Sequence, residues 1–139
     1  MRNDQGSATA WVLGLTALGI VCLVVYIGFG SGYNSRRHIA NAIEDAGRLK
    51  ADVAAFRLKN NRWPDAREAA QMPGAKKQYY DVRAIGYDAE KKAVVITMDK
   101  LPYEGKRFGF FAEDRDGKLE WACRRIDIDT KYLPAGCRN

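Results

Sequence analysis

The sequence predicts an α+β protein. An N-terminal transmembrane helix leads into an amphipathic helix packed on a four-stranded antiparallel sheet, and a C-terminal loop lies between two cysteines. Three observations carry this. No charged residue occurs from Gln5 to Ser35, and Trp11 to Phe29 is almost wholly apolar. Apolar residues then recur in steps of three and four as far as Phe56. Beyond Tyr79 the period changes to two, the alternation of half-buried strands.

The apolar run comes first. A helix needs about twenty apolar residues to cross a hydrocarbon core, and Ala10 to Phe29 supplies them. That is longer than the usual core of a secretory signal, so a retained anchor is favoured over cleavage near Gly28-Phe29-Gly30. The chain has 139 residues, room for one anchor (residues 1–33) and one small domain (residues 34–139). Its formal charge is +6, nearly all of it after the anchor. Such an excess suits anionic partners such as DNA, phospholipid headgroups or acidic polysaccharide without demanding one.

Orientation is read from two opposed signals. Arg36, Arg37, Arg48 and Lys50 follow the anchor against Arg2 before it, which favours a cytoplasmic C-terminal side. Cys123 and Cys137 frame a terminal loop, which in an oxidising compartment would close as a disulfide, restricting the unfolded chain by about 3 kcal/mol. The alternative is two buried free thiols in a cytosolic domain. Long domains translocate largely regardless of flanking charge, so a single pass through the inner membrane with a periplasmic C-terminal domain is the expectation. Cys22 lies within the apolar run as a small hydrophobe.

Glycines 28, 30 and 32 are expected to weaken the helix outside the membrane. A new helix would start at Asn34 or Ser35, either of which can cap it. Its stripe is Ile39, Ala42, Ile43, Ala46, Leu49, Val53 and Phe56, with Arg37, Glu44, Arg48, Asp52 and Lys59 lying mostly elsewhere. Asn60 and Asn61 end the pattern, and Trp63-Pro64 imposes an extended connection. Residues 64–79 connect, with a short helix around Ala66 to Gln71. Strands follow at Tyr80 to Tyr87, Ala93 to Met98, Arg107 to Ala112 and Lys118 to Cys123. Turns fall at 88–92 and 114–117, and a longer connection carries Pro102 and Gly105.

From Asn34 onward these parts resemble a type IV pilin. The residues that carry the resemblance are Asn61, Arg62, Trp63 and Pro64 after the helix, then Trp121 and Cys123 on the last strand. Lys131, Tyr132, Leu133 and Pro134, followed by Cys137 and Arg138, complete it. The resemblance implies a bacterial filament subunit with a C-terminal disulfide loop, serving adhesion and motility, with other pilins or the pilus assembly machinery as partners. It departs at the N-terminus. Type IV prepilins carry a glutamate at the fifth mature position, which pairs with a neighbouring subunit's amine. Here Gly6 is followed by Ser7, and five beyond the glycine stands Trp11. The expectation is therefore an anchor uncut at Gly6, in a minor or accessory component.

Catalytic chemistry finds no foothold. The single histidine, His38, sits by Arg36 and Arg37 and is expected at the membrane interface. Asp114, Asp116, Asp127 and Asp129 lack the glutamate of a calcium loop and read as solvated turns. Tyr79, Tyr80, Phe108, Phe110 and Phe111 read as sheet core and edge. No enzyme activity, cofactor or metal is expected. A second reading is a minor pilin that captures DNA, with Lys76, Lys77, Arg124 and Arg125 as phosphate contacts. A third is a non-polymerising protein that binds pilins or their assembly platform.

Overall fold

The computed structural model describes residues 5–115 and 118–139, and among these the side chains of residues 13–27, 36–115 and 118–139. Helix α1 is Gln5–Asn60 and helix α2 is Ala66–Ala70. Strands β1 (Val82–Asp88), β2 (Ala93–Met98), β3 (Arg107–Arg115) and β4 (Lys118–Arg125) follow. They form one sheet in the order β1-β2-β3-β4, every pair antiparallel. Single 3-10 turns occur at Pro73–Ala75, Thr130–Tyr132 and Ala135–Cys137. The chain divides into two compact units, Met1–Ser35 and Arg36–Asn139.

In the first unit the large apolar side chains from Leu13 to Ile27 are between 50% and 79% exposed. Thr16 turns its hydroxyl back onto the Leu13 carbonyl at 2.9 Å, so its polar group is satisfied within the helix. Among the described residues no helix is long and apolar enough to cross a membrane. The described side chains end at Ile27, short of the about twenty residues that a span takes. The rest of the expected span, Ala10 to Val12 and Gly28 to Phe29, lies outside the described side chains. The break expected at glycines 28, 30 and 32 is absent, because α1 runs on through them. Glycine costs a helix about 1 kcal/mol relative to alanine but removes no backbone hydrogen bond. It ends a helix only when it adopts a left-handed conformation.

The second unit is built on the stripe of α1. Ile39, Ala42, Ala46, Leu49 and Val53 are all 2% exposed or less. They form one core with Val82, Val94, Ile96, Met98, Phe108 and Phe110 from the sheet. Each fully buried Val, Leu, Ile, Met or Phe side chain there contributes about 1.5–3 kcal/mol. Ile43 packs against the edge of this core, and Phe56 is half-buried beneath the Arg62 guanidinium, 4.9 Å from its ring centre. Lys50 lies over the Phe110 ring at 3.9 Å, and burial pulls its ammonium below the usual lysine range.

The sheet registers make one face apolar. Val94 stands opposite Phe110, and Ile96 opposite Phe108. β2 has the bounds its alternation predicts. β1 starts later than expected: Tyr80 is 69% exposed and precedes the strand. The register then shifts between Val82 and Ala84. β3 and β4 run further than expected, with Asp114 opposite Leu119 and Arg115 opposite Lys118. Asp114 and Arg115 are therefore strand, and residues 116–117 of the predicted turn lie outside the described residues. Phe108 and Phe110 are core, Phe111 is half-buried on the sheet, and Tyr79 is half-buried ahead of β1.

The segment between α1 and β1 is held by polar contacts to the helix. Asp65 caps α2 with a reciprocal box: Glu68 N–H donates to Asp65 at 2.8 Å, and Asp65 N–H donates to Glu68 at 2.9 Å. The Arg62 fork donates to both Glu68 oxygens, at 2.8 and 2.6 Å. With the Asp65 amide it holds the Glu68 carboxyl at about 2. The charged form that makes this box therefore survives well below the usual glutamate range. Asp45 is fully buried and accepts from the Gln78 and Tyr79 amides at 3.1 Å and from the Arg48 guanidinium. Asp52 accepts from Gly74 N–H at 2.7 Å. Arg48 and Asp52, placed by the sequence pattern on the helix's idle side, thus anchor the connection.

Two stability predictions follow from these contacts. Asp45→Ala would remove the acceptor of two backbone amides and unpair Arg48, and should cost about 3 kcal/mol. Lys59→Ala, at an exposed position, should stay within about 0.5 kcal/mol. Equal losses in thermal melts of the full chain in detergent would show that Asp45 does not hold the segment. A Cβ on Gly74 would lie 2.5 Å from Leu49 N and 2.6 Å from Arg48 C, both backbone atoms, whereas one on Gly86 meets nothing within 4 Å. Gly74→Ala should therefore lower the midpoint clearly more than Gly86→Ala, and the reverse order would contradict this seat against α1.

Candidate functional site: the C-terminal loop and its seat

The last strand delivers Cys123 opposite Phe110, and the chain then turns back across the sheet end to Cys137. The two cysteines form a disulfide, with Cα atoms 4.5 Å apart and a sequence separation of 14. Cys137 is buried and Cys123 packs against the core. Between them Ile128 and Leu133 are 1% and 2% exposed, so the loop is pinned by apolar side chains as well as by sulfur.

Each aspartate of the loop has a structural partner. Asp127 accepts from Arg107 twice, from its backbone N–H and from Nε at 2.9 Å. In return the Ile126 and Asp127 amides donate to the Arg107 carbonyl at 3.2 Å. Asp129 caps the turn at Thr130–Tyr132 by accepting from Lys131 N–H. Its carboxyl is lowered by that backbone bond and by the Lys131 ammonium. Both aspartates stand in exposed, solvated positions as expected, and there they also hold the loop's course.

The seat lies at the start of the unit. Tyr103, 1% exposed, follows the cis Leu101–Pro102 bond and meets Tyr132 edge-on at 5.4 Å. His38 lies edge-on to Tyr103 at 6.4 Å. Its Nδ1 is 2.9 Å from Asp81 Oδ1, and Asn41 donates to the other Asp81 oxygen at 2.9 Å. A proton on His38 Nδ1 satisfies two buried atoms that otherwise have no hydrogen-bond partner. His38, expected at the membrane interface, therefore braces the start of β1. Its sequence position beside Arg36 and Arg37 gave no sign of that distant carboxylate.

Between α1 and the loop lies a groove of about 340 Å³. Ile39 and Ile43 line it from the helix, and Leu133 and Pro134 from the loop. Its charged lining residues are Arg36, Lys131 and Arg138. Arg138 reaches back to donate Nε to the Leu133 carbonyl at 2.9 Å.

The residues expected to contact phosphate are not brought together. Lys76 and Lys77 precede β1 at one edge of the sheet, and Arg124 and Arg125 end β4 at the other. Three strand spacings separate these edges, about 14 Å. Lys77 donates Nζ to the Val82 carbonyl at 2.9 Å. Arg124 pairs with Glu113 and lies over Phe111. The basic groove escaped notice in the sequence because its members, Arg36, Lys131 and Arg138, are far apart along the chain. Among the described residues no group of three or more His, Cys, Asp or Glu side chains is placed to hold a metal ion.

Comparison with known proteins fits this geometry. The family model for pilin, the bacterial filament protein, matches residues 35–138. Two type IV major pilin proteins of Neisseria gonorrhoeae are 22% and 25% identical to the chain, covering 90% of it and 81% and 87% of their own lengths. A fimbrial protein of Neisseria meningitidis serogroup A is 22% identical, over 90% of this chain and 88% of its own. With the family match spanning the helix stripe, the sheet and the disulfide loop, this chain belongs to the pilin family of bacterial filaments.

Proposed function

We propose that the chain is a type IV pilus component of the minor or accessory kind, with residues 34–139 as its periplasmic head and residues 1–33 as a single-pass inner-membrane anchor. The observation that carries the filament reading is the helix stripe laid on a four-stranded sheet and closed by Cys123–Cys137, within the region the family match covers. Support for the anchor is the uncharged run from Gln5 to Ser35 and the exposure of its large side chains from Leu13 to Ile27. Such a surface calls for lipid or for the same helix of neighbouring subunits. Other pilins and the assembly machinery are the partners this reading requires.

The minor or accessory role rests on the sequence around Gly6. Between Gln5 and Ser35 there is no carboxylate to attract the amine of an incoming subunit. Packing between apolar helices would remain as the means of entry into a fibre. The DNA-capture reading draws no support from the arrangement, since Lys76 and Lys77 precede one edge strand and Arg124 and Arg125 end the other.

Intact mass spectrometry on membranes and on sheared filaments from the native host tests this. Expected is a species uncut at Gly6, abundant in membranes and sparse in the sheared fraction. Alkylation without reduction should add one label, on Cys22, because Cys123 and Cys137 are bonded. A species beginning at Ser7 with a methylated amine, abundant in sheared filaments, would make this a conventional major subunit. Three labels would overturn the periplasmic placement.

A further inference from the structure

The groove between α1 and the C-terminal loop joins two properties. Its walls are apolar, from Ile39, Ile43, Leu133 and Pro134, and its charged lining residues are all basic. Arg36 has no ion pair among the described residues, and Arg138 uses only Nε, on the Leu133 carbonyl. Lys131 is 3.2 Å from Asp129 and lies over the Tyr132 ring. Two guanidinium groups are thus left with donors to spare beside low-dielectric walls, where an anion is held more strongly than in open water.

We propose that this groove binds the headgroup of an anionic phospholipid. The phosphate would sit between the guanidinium groups of Arg36 and Arg138, with the glycerol and first acyl carbons against the apolar walls. The proposal rests on the anchor reading above. Arg36 is the first charged residue after the uncharged run, a sequence position that on the anchor reading adjoins the headgroup zone. Charge complementarity favours lipid over a second copy of the chain. Arg2 and Asp4 cancel, so the whole net charge of +6 lies after Ser35, and two such heads repel each other. A short, apolar-walled groove also suits a lipid better than a long polyanion, whose phosphates need an extended basic track.

Native mass spectrometry of the full chain in neutral detergent tests this, with equimolar dihexanoyl phosphatidylglycerol and dihexanoyl phosphatidylcholine as competing probes. A charge pair worth about 1 kcal/mol is a factor of about five, so phosphatidylglycerol should be retained at least about five-fold over phosphatidylcholine. The Arg36→Gln/Arg138→Gln variant should retain both equally, and Arg115→Gln, outside the groove, should keep the preference. Arg36→Gln alone, at an exposed helical position, should lose about five-fold and covers the case in which Arg138→Gln disturbs the loop.

Equal retention of the two lipids by the unaltered chain would overturn the proposal, as would an undiminished preference in Arg36→Gln. Displacement of the lipid by millimolar inorganic phosphate would make this a free-anion site. Displacement by a short DNA duplex at equal phosphate concentration would make it a nucleic-acid site. Either result excludes lipid as the occupant. Short-chain lipid in detergent needs no bilayer. A chain extracted from membranes by alkaline carbonate would therefore defeat the anchor reading without altering this selectivity.

Discussion

Five side chains on one face of α1 decide where almost everything else in the head can go. Ile39, Ala42, Ala46, Leu49 and Val53 are buried to 2% exposure or less, and the two alanines among them let the helix come close to the sheet. A single antiparallel sheet with one bare apolar face is not stable in water. The helix covers that face and so permits the strands to exist. The same contact explains why the sheet alternates so regularly at β2, whose inward residues Val94, Ile96 and Met98 are fully buried.

Once the helix is seated, its flanks become attachment points. Asp45 and Asp52 lie beside the stripe and take backbone amides from the connecting segment. Gly74 passes so close to the Arg48–Leu49 backbone that a methyl group has no room. A buried carboxylate is costly unless its oxygens are satisfied. Here two amides and a guanidinium satisfy it, and the result is a connection with a defined course. On the other side of the unit the C-terminal loop is held in a similar way, through the Arg107–Asp127 pair, the Tyr103–Tyr132 contact and the disulfide. The apolar face supplies the bulk of the stability, and directed polar contacts determine the paths of the loops.

This division explains what could be read in advance. The stripe, the strands and the cysteine pair are periodic or compositional signals, and β2 appears with the bounds its alternation indicates. Asp45 escaped because a carboxylate next to a stripe reads as solvated, and its partners, the amides of Gln78 and Tyr79, have no side-chain signature. His38 escaped for the same reason, since Asp81 is distant in sequence. The helix break was over-read: glycines 28, 30 and 32 have a composition suited to a hinge, but glycine only lowers helix propensity. The groove of Arg36, Lys131 and Arg138 needed the fold itself, because doublets such as Lys76-Lys77 and Arg124-Arg125 draw the eye while scattered residues do not.

The central claim is that helix and sheet form one cooperative unit, to which the disulfide loop is attached without being required for it. Native-state hydrogen exchange on the full chain, with and without reduction of Cys123–Cys137, tests this directly. Amides of α1 from Ala42 to Val53 and of β2 and β3 should exchange together at the slowest rate, through global opening. Reduction should speed the amides of Ile126, Asp127, Cys137 and Arg138, which bond within or beside the loop, by a larger factor than it speeds the core. If the helix amides exchanged much faster than those of β2 and β3 in the oxidised chain, the helix would not be the element on which the sheet depends.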